Sequence, residues 1–228
     1  MASVKSTRPF TEAPSSGSVT EEYFFRMMSP GAARKSKSYE DEEQKSLQWL
    51  IDNTSDIFER NFIVIGAGTL WYVDLVFNKV KNYIAIEPLS KLYISRQLMF
   101  LIKKFKNIKI ISKLFGDVSI DEIPNGKNIY VFMFNILAYI EGPITRINKL
   151  IKPNDIIYIS SWNKTPEAKQ VRKKYFDYLN SFENEIIIDP ESTLGLCHLD
   201  NFPFDKLKYY KSHKRITDKI TDILIIYT

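Results

Sequence analysis

The 228 residues, 44% hydrophobic and 26% charged, make room for one globular domain with a modest extension, and no apolar run reaches the roughly 20 residues that cross a bilayer. One cysteine, Cys197, excludes an internal disulfide framework and points to the reducing cytoplasm; with only His198 and His213 beside it, no histidine/cysteine zinc cluster can form and no metal is expected. The net charge of +5 arises from 32 basic and 27 acidic residues, a mixed surface that disfavours nucleic acid as a partner.

Residues 1–20 hold five serines, two prolines and one glycine without apolar periodicity, the composition of a disordered arm with no signal-peptide core. Residues 21–59 read as a helical lid or cap. Tyr23, Phe24, Phe25, Met27 and Met28 are costly to expose, Ser29-Pro30-Gly31 reads as a break that can hinge, and Leu47, Leu50 and Ile51 recur at helical spacing. From residue 60 onward strands and helices alternate. Asn61–Ile65, Tyr83–Ile86, Ile108–Ile111, Ile129–Phe134 and Ile156–Ser160 are short apolar runs of the kind buried on both faces of a parallel sheet. Helical patterns fall at Leu70–Lys79, Leu89–Phe105, Pro143–Ile151 and Pro166–Phe182, with two further strands at Glu185–Ile188 and Asp222–Tyr227. This alternation predicts a doubly wound α/β domain over 60–228, its mainly parallel sheet of seven strands covered by helices on both faces. An insert at 190–220 separates the last two strands and is far longer than a hairpin needs.

In such sheets, ligands bind beyond the carboxyl ends of the strands where strand order reverses. The first strand ends in Gly66-Ala67-Gly68, whose glycines allow a tight turn and close approach of a ligand. The second ends in Glu87-Pro88, 21 residues after Gly66, and a carboxylate there can accept both hydroxyl hydrogens of a ribose. Loop and acid together indicate an adenosine-type cofactor. In the dinucleotide pattern G-x-G-x-x-G/A the third position is Trp71, too large for close helix–strand packing, which disfavours NAD.

Here the sequence resembles the class I, Rossmann-like S-adenosylmethionine-dependent methyltransferases, over roughly residues 60–161. The resemblance rests on VIGAGTLW (Val64–Trp71), IAIEP (Ile84–Pro88), Phe115-Gly116-Asp117-Val118 and Phe134-Asn135-Ile136-Leu137. It implies S-adenosylmethionine as cofactor and S-adenosylhomocysteine as product. Gly66, Ala67, Gly68, Glu87, Pro88, Asp117, Val118, Asn135 and Ile136 would bind the cofactor, with Asp117 reaching the adenine amine. The third glycine of the family's loop is Leu70 here, and strand four lacks the Asn-Pro-Pro-Tyr of enzymes that methylate amides or base amines.

Methyl transfer from a sulfonium draws most of its acceleration from alignment, so no residue announces itself as a base. Asn135 and Tyr139 lie just past strand four and are the catalytic candidates; Glu141 lies beside them. Tyr23, Tyr39, Trp162 and His198 are candidates for contacting the acceptor. With one compact domain the expectation is a small polar acceptor, amino-acid-like or a natural-product intermediate. RNA or protein methylation, transfer of the cofactor's aminobutyl arm as in nicotianamine synthase, and a non-catalytic cofactor-binding module are the alternatives. Oligomeric state leaves no mark in the sequence.

Overall fold

A computed structural model describes residues 26–27, 29–68, 70, 72–88, 102–181 and 199–228. The arm at 1–20, Tyr23, Trp71, most of the expected helix 89–105, the expected strand 185–188, Cys197 and His198 lie outside the described residues. Helix α1 spans Pro30–Asp52, followed by strands β1 (Asn61–Ile65), β2 (Asn82–Ile86), β3 (Ile108–Ile111), β4 (Asn128–Phe132), β5 (Ile156–Trp162), β6 (Ser212–Thr217) and β7 (Thr221–Tyr227). Three further helices lie wholly within the described residues: α2 (Val73–Val76), α3 (Pro143–Leu150) and α4 (Pro166–Asn180).

The strands form a single sheet in the order β3-β2-β1-β4-β5-β7-β6. The first five run parallel; β7 is antiparallel to β5 and to β6. Strand order reverses between β1 and β4, the place where the carboxyl ends diverge and leave a crevice. Buried apolar side chains alternate faces along each strand, as the two-residue strand period requires. Ile63, Ile65, Tyr130, Phe132, Ile157 and Ile159 pack with Ile144, Ile147 and Leu150 of α3. Phe62, Val64, Ile129, Val131 and Tyr158 pack on the opposite face with Leu47, Leu50 and Ile51 of α1 and with Val73 and Val76 of α2. Both faces are therefore covered. At the amino ends of the central strands, Asn82 Nδ2 donates to Asn61 Oδ1 (2.7 Å) and Asn61 Nδ2 to Asn128 Oδ1 (2.9 Å), fixing register with side chains as well as backbone.

Three local outcomes differ from expectation. The Ser29-Pro30-Gly31 segment starts α1. Ser29 Oγ accepts the N–H of Ala32 at 3.2 Å, and Pro30 occupies the first helical position, where its missing N–H costs nothing. Gly31 lies so close to α4 that an added Cβ would sit 2.0 Å from the Tyr178 hydroxyl, so its small size admits close helix contact. The helix expected over 70–79 shrinks to the single turn of α2, because Leu70 (φ 65°) and Tyr72 (φ 58°) adopt left-handed backbone. Finally, the segment at 190–220 contains a strand: β6 forms a hairpin with β7 and is the outer edge of the sheet.

Candidate cofactor and acceptor site

The residues named for the cofactor lie along the carboxyl edge of the parallel strands. Gly66-Ala67-Gly68 follows β1. Gly66 (φ 67°) and Gly68 (φ 52°) both use the left-handed region that glycine occupies at little cost. The loop is held from two sides. An added Cβ at Gly66 would meet Ile136 Cγ1 at 2.6 Å, so the loop lies tight against the tip of β4. Glu87, at the end of β2 and 3% exposed, accepts the Gly68 N–H on Oε2 at 3.0 Å. A carboxylate this buried is costly without donors, and the loop amide supplies one. Pro88 beside it is exposed. Beyond β3 the turn Phe115–Asp117 presents Asp117 to solvent and anchors itself through Phe115 and Val118, both buried with Ile65, Ile86 and Ile111.

The tip of β4 carries the most unusual backbone in the described chain. Phe134 (φ 48°) and Asn135 (φ 60°) are consecutive non-glycine residues in the left-handed region, at about 1–2 kcal/mol for Phe134 and less for asparagine, which tolerates that backbone. Such conformations persist only where the surroundings over-determine them. Here Asn135 N donates to Ser160 O (3.1 Å), and its Oδ1 accepts from Ser161 Oγ (2.9 Å), both on β5. The Phe134 N–H donates to Ser160 Oγ (2.9 Å) and to Glu43 Oε1 (2.7 Å). The turn Ile136–Tyr139 follows, and partial burial raises the Tyr139 hydroxyl pKa above its ordinary value. That phenol stays neutral near pH 7 and can donate a hydrogen bond but is a poor proton acceptor.

Tyr39 and Trp162, expected from the sequence to contact the acceptor, come together at 4.4 Å between ring centroids. Phe134 and Tyr175 complete the group, with Phe134 4.8 Å from Tyr39 and 5.4 Å from Tyr175. Tyr39, Trp162 and Tyr175 are buried in a core cluster with Ala168, Phe176 and Leu179, so these rings pack behind the tips of β4 and β5 and present no face to an acceptor in this structure. His213, on β6, stacks on Phe204 at 4.2 Å, far along the sheet from the glycine loop.

Glu43 is the residue that sequence reasoning missed. It sits in the acidic run Glu40-Asp41-Glu42-Glu43, which reads as a solvated face, yet it is fully buried. Its spacing to Tyr39, Leu47 and Leu50 was the available signal: all four share the stripe that α1 turns inward. Oε1 accepts from Phe134 N and from Ser160 Oγ, while Oε2 lies 3.3 Å from the Tyr72 hydroxyl. Desolvation lifts its pKa from 4.5 to about 7. Among the described residues, no group of histidine, cysteine, aspartate or glutamate side chains could hold a metal ion, and no helix is long and apolar enough to cross a membrane.

No protein-family model matches the sequence, and comparison with curated proteins returns no similar sequence. Solved structures do match. An O-methyltransferase family protein from Burkholderia thailandensis superposes with a TM-score of 0.53 at 11% identity, over 84% of this chain and 58% of that one. The N-methyltransferase NodS from Bradyrhizobium japonicum WM9, in complex with S-adenosyl-L-homocysteine, superposes with a TM-score of 0.47 at 7% identity, over 91% and 96%. The sheet order, the covered faces and the Burkholderia superposition identify the architecture as the Rossmann-like fold of the class I methyltransferases.

Proposed function

We propose that the protein is an S-adenosylmethionine-dependent methyltransferase whose acceptor is a small polar molecule, amino-acid-like or a natural-product intermediate, acting in the cytoplasm. The observation that carries this reading is the junction of the glycine loop with Glu87. A left-handed loop built on Gly66 and Gly68 follows β1 at the switch point, and a buried carboxylate from β2 reaches its amide at 3.0 Å. That donor set fits the cofactor, because Glu87 is acceptor-only when ionised and suits the two hydroxyl hydrogens of a ribose.

When bound, S-adenosylmethionine supplies a methyl group already activated on a sulfonium. The chain then has to bind, align and exclude water. Glu87 would hold the ribose, the backbone of Gly66–Gly68 the methionyl part, and Asp117 the adenine amine. Val118 and Ile136, the latter half-buried against the core, would flank the adenosine. Asn135, its Oδ1 engaged by Ser161, would orient the reacting end from the tip of β4. Tyr139 would hold the acceptor as a neutral hydrogen-bond donor, in keeping with its raised pKa. Tyr39 and Trp162, buried behind the tips of β4 and β5, would brace those tips from the interior.

Calorimetric titration with S-adenosylhomocysteine tests the reading. Wild type should bind, and Glu87→Ala should weaken binding by about 10- to 100-fold, the equivalent of ~1.5–3 kcal/mol for hydrogen bonds to a charged group. Equal affinity of a folded Glu87→Ala protein overturns it.

A further inference from the structure

We propose that Glu43 is a positioning residue: from the inward stripe of α1, its carboxyl holds the backbone of Phe134 and Asn135 at the tip of β4 in the conformation the cofactor site uses. The proposal rests on the methyltransferase reading for what that tip does, and on the geometry below for how it is held.

The tip has a backbone that does not persist unaided, since two successive L-residues occupy left-handed space. The Phe134 N–H cannot continue the sheet ladder from there. It points instead at Glu43 Oε1 (2.7 Å) and Ser160 Oγ (2.9 Å). Ser160 is itself ordered by a relay in which Tyr39 Oη donates to Ser160 Oγ (3.1 Å) and Ser160 donates to Glu43. One carboxyl thus joins α1, β5 and the turn after β4. Its other oxygen reaches Tyr72, which follows the glycine loop. Both strand tips that bound the switch point are therefore tied to one buried side chain.

The hydrogen-bond geometry accommodates a protonated Glu43. The Tyr72 hydroxyl has a single hydrogen and two acceptors within reach, Glu40 O at 3.2 Å and Glu43 Oε2 at 3.3 Å. If Glu43 carries a proton on Oε2, it donates to Tyr72, Tyr72 donates to Glu40 O, and Oε1 remains free to accept from Phe134 and Ser160. Every hydrogen then has a place. The titratable groups that face Glu43 are Tyr39 and Glu40 from α1, Tyr72 from the glycine loop and Tyr158 from β5. None of them brings a positive charge that would keep the carboxylate ionised. Glutamine reproduces the neutral form, with an acceptor for Phe134 and a donor for Tyr72; leucine reproduces only the bulk.

The test is backbone amide exchange at Phe134, with Val131 in mid-β4 as the internal control, in wild type, Glu43→Gln and Glu43→Leu without cofactor. Glu43→Leu should accelerate Phe134 exchange at least tenfold relative to Val131, and Glu43→Gln should stay within twofold of wild type. Phe134 and Val131 accelerating together in Glu43→Leu, or neither changing, overturns the positioning role. If Glu43→Leu does not fold, Glu43→Asp replaces it, since the shorter side chain withdraws from Phe134 and should give the same selective acceleration. S-adenosylhomocysteine affinity adds the functional arm: a loss of tenfold or more in Glu43→Leu, restored in Glu43→Gln, is expected. Equal affinity in Glu43→Leu and wild type overturns the link to the cofactor site. If no protein in the series binds S-adenosylhomocysteine, the methyltransferase reading fails by itself, while the exchange result still decides how the tip is held.

Discussion

A buried carboxyl that titrates near neutrality leaves a signature on stability with a definite sign. Glu43 has a folded pKa of about 7 against an ordinary value of 4.5. Below pH 4.5 both folded and unfolded chains hold the proton. Between 4.5 and 7 the unfolded chain releases it while the folded chain retains it, so raising pH favours unfolding; above 7 both have released it and the loss is complete. At ~1.4 kcal/mol per pH unit between the two pKa values, wild type should lose about 3 kcal/mol across this window. Glu43→Gln has no proton to release and should lose none of it. The variant should thus match wild type near pH 4.5 and exceed it by about 3 kcal/mol at pH 8. Urea unfolding of both proteins at half-unit steps from pH 4.5 to 8 measures the difference. Asp56, held at about 2 by Arg60 and Lys127, loses its contribution only as pH falls below 3.8, outside the window. Asp155, whose carboxyl is also raised by burial, contributes equally to both proteins and cancels. Parallel stability curves for the two proteins from pH 4.5 to 7.5 would refute the assignment of a neutral buried carboxyl to Glu43.

Gly66→Ala places a methyl 2.6 Å from Ile136 Cγ1 at a φ of 67°, and should cost about 2–4 kcal/mol in urea unfolding. Adding Ile136→Ala should recover the steric share and leave the backbone share, a non-additivity that a double-mutant cycle reads directly. Glu42→Ala removes an oxygen that accepts from Ile220 N (2.8 Å), Thr221 N (2.8 Å) and Thr221 Oγ1 (3.1 Å), which should lower stability by about 1.5–3 kcal/mol; amide exchange at Ile220 and Thr221 should accelerate more than at Ile225. Asp117→Ala should leave the fold intact, since Asp117 is exposed, while weakening S-adenosylhomocysteine binding and narrowing discrimination against a purine analogue lacking the amine; unchanged discrimination removes Asp117 from the adenine site.

What the sequence announced and what it hid have separate physical causes. Strands buried on both faces are legible because nearly every position is apolar, as in NFIVI, where four residues are apolar and all five are buried. The glycine loop and Glu87 are legible because only a few residue types serve at those turns. The run at Ile129–Phe134 overshoots its strand, which ends at Phe132, since Met133 and Phe134 are apolar for reasons of packing beyond the sheet. Strand β6 left no signal: Ser212-His213-Lys214-Arg215 forms an exposed edge, and charged side chains are what such an edge tolerates. The N-terminal half of α1 was obscured by Ser29-Pro30, a pair that opens helices as readily as it breaks them. Glu43 was hidden by its neighbours, because an acidic run gives no hint that one member faces inward until the helix phase is drawn through Tyr39 and Leu47.

The attachments of α1 also constrain the order in which the site can come into being. Glu43 finds Ser160 across 117 positions of sequence, and Glu42 finds Thr221 across 179. During synthesis, the helix leaves the ribosome long before either partner exists, so its two inward acids must wait for β5 and then β7 to be made. Closing loops of that length is an entropic cost met before any contact rewards it. The central strands β1 and β2 can pair early, carrying Gly66, Gly68 and Glu87 with them. The tip of β4 acquires its final backbone only when α1 and β5 have both been made and meet it. The carboxyl edge is therefore completed in stages: a chain ending before residue 221 holds the partners of Glu43 but not those of Glu42, and in it the Phe134 amide should be protected while the α1–β7 contact is still missing.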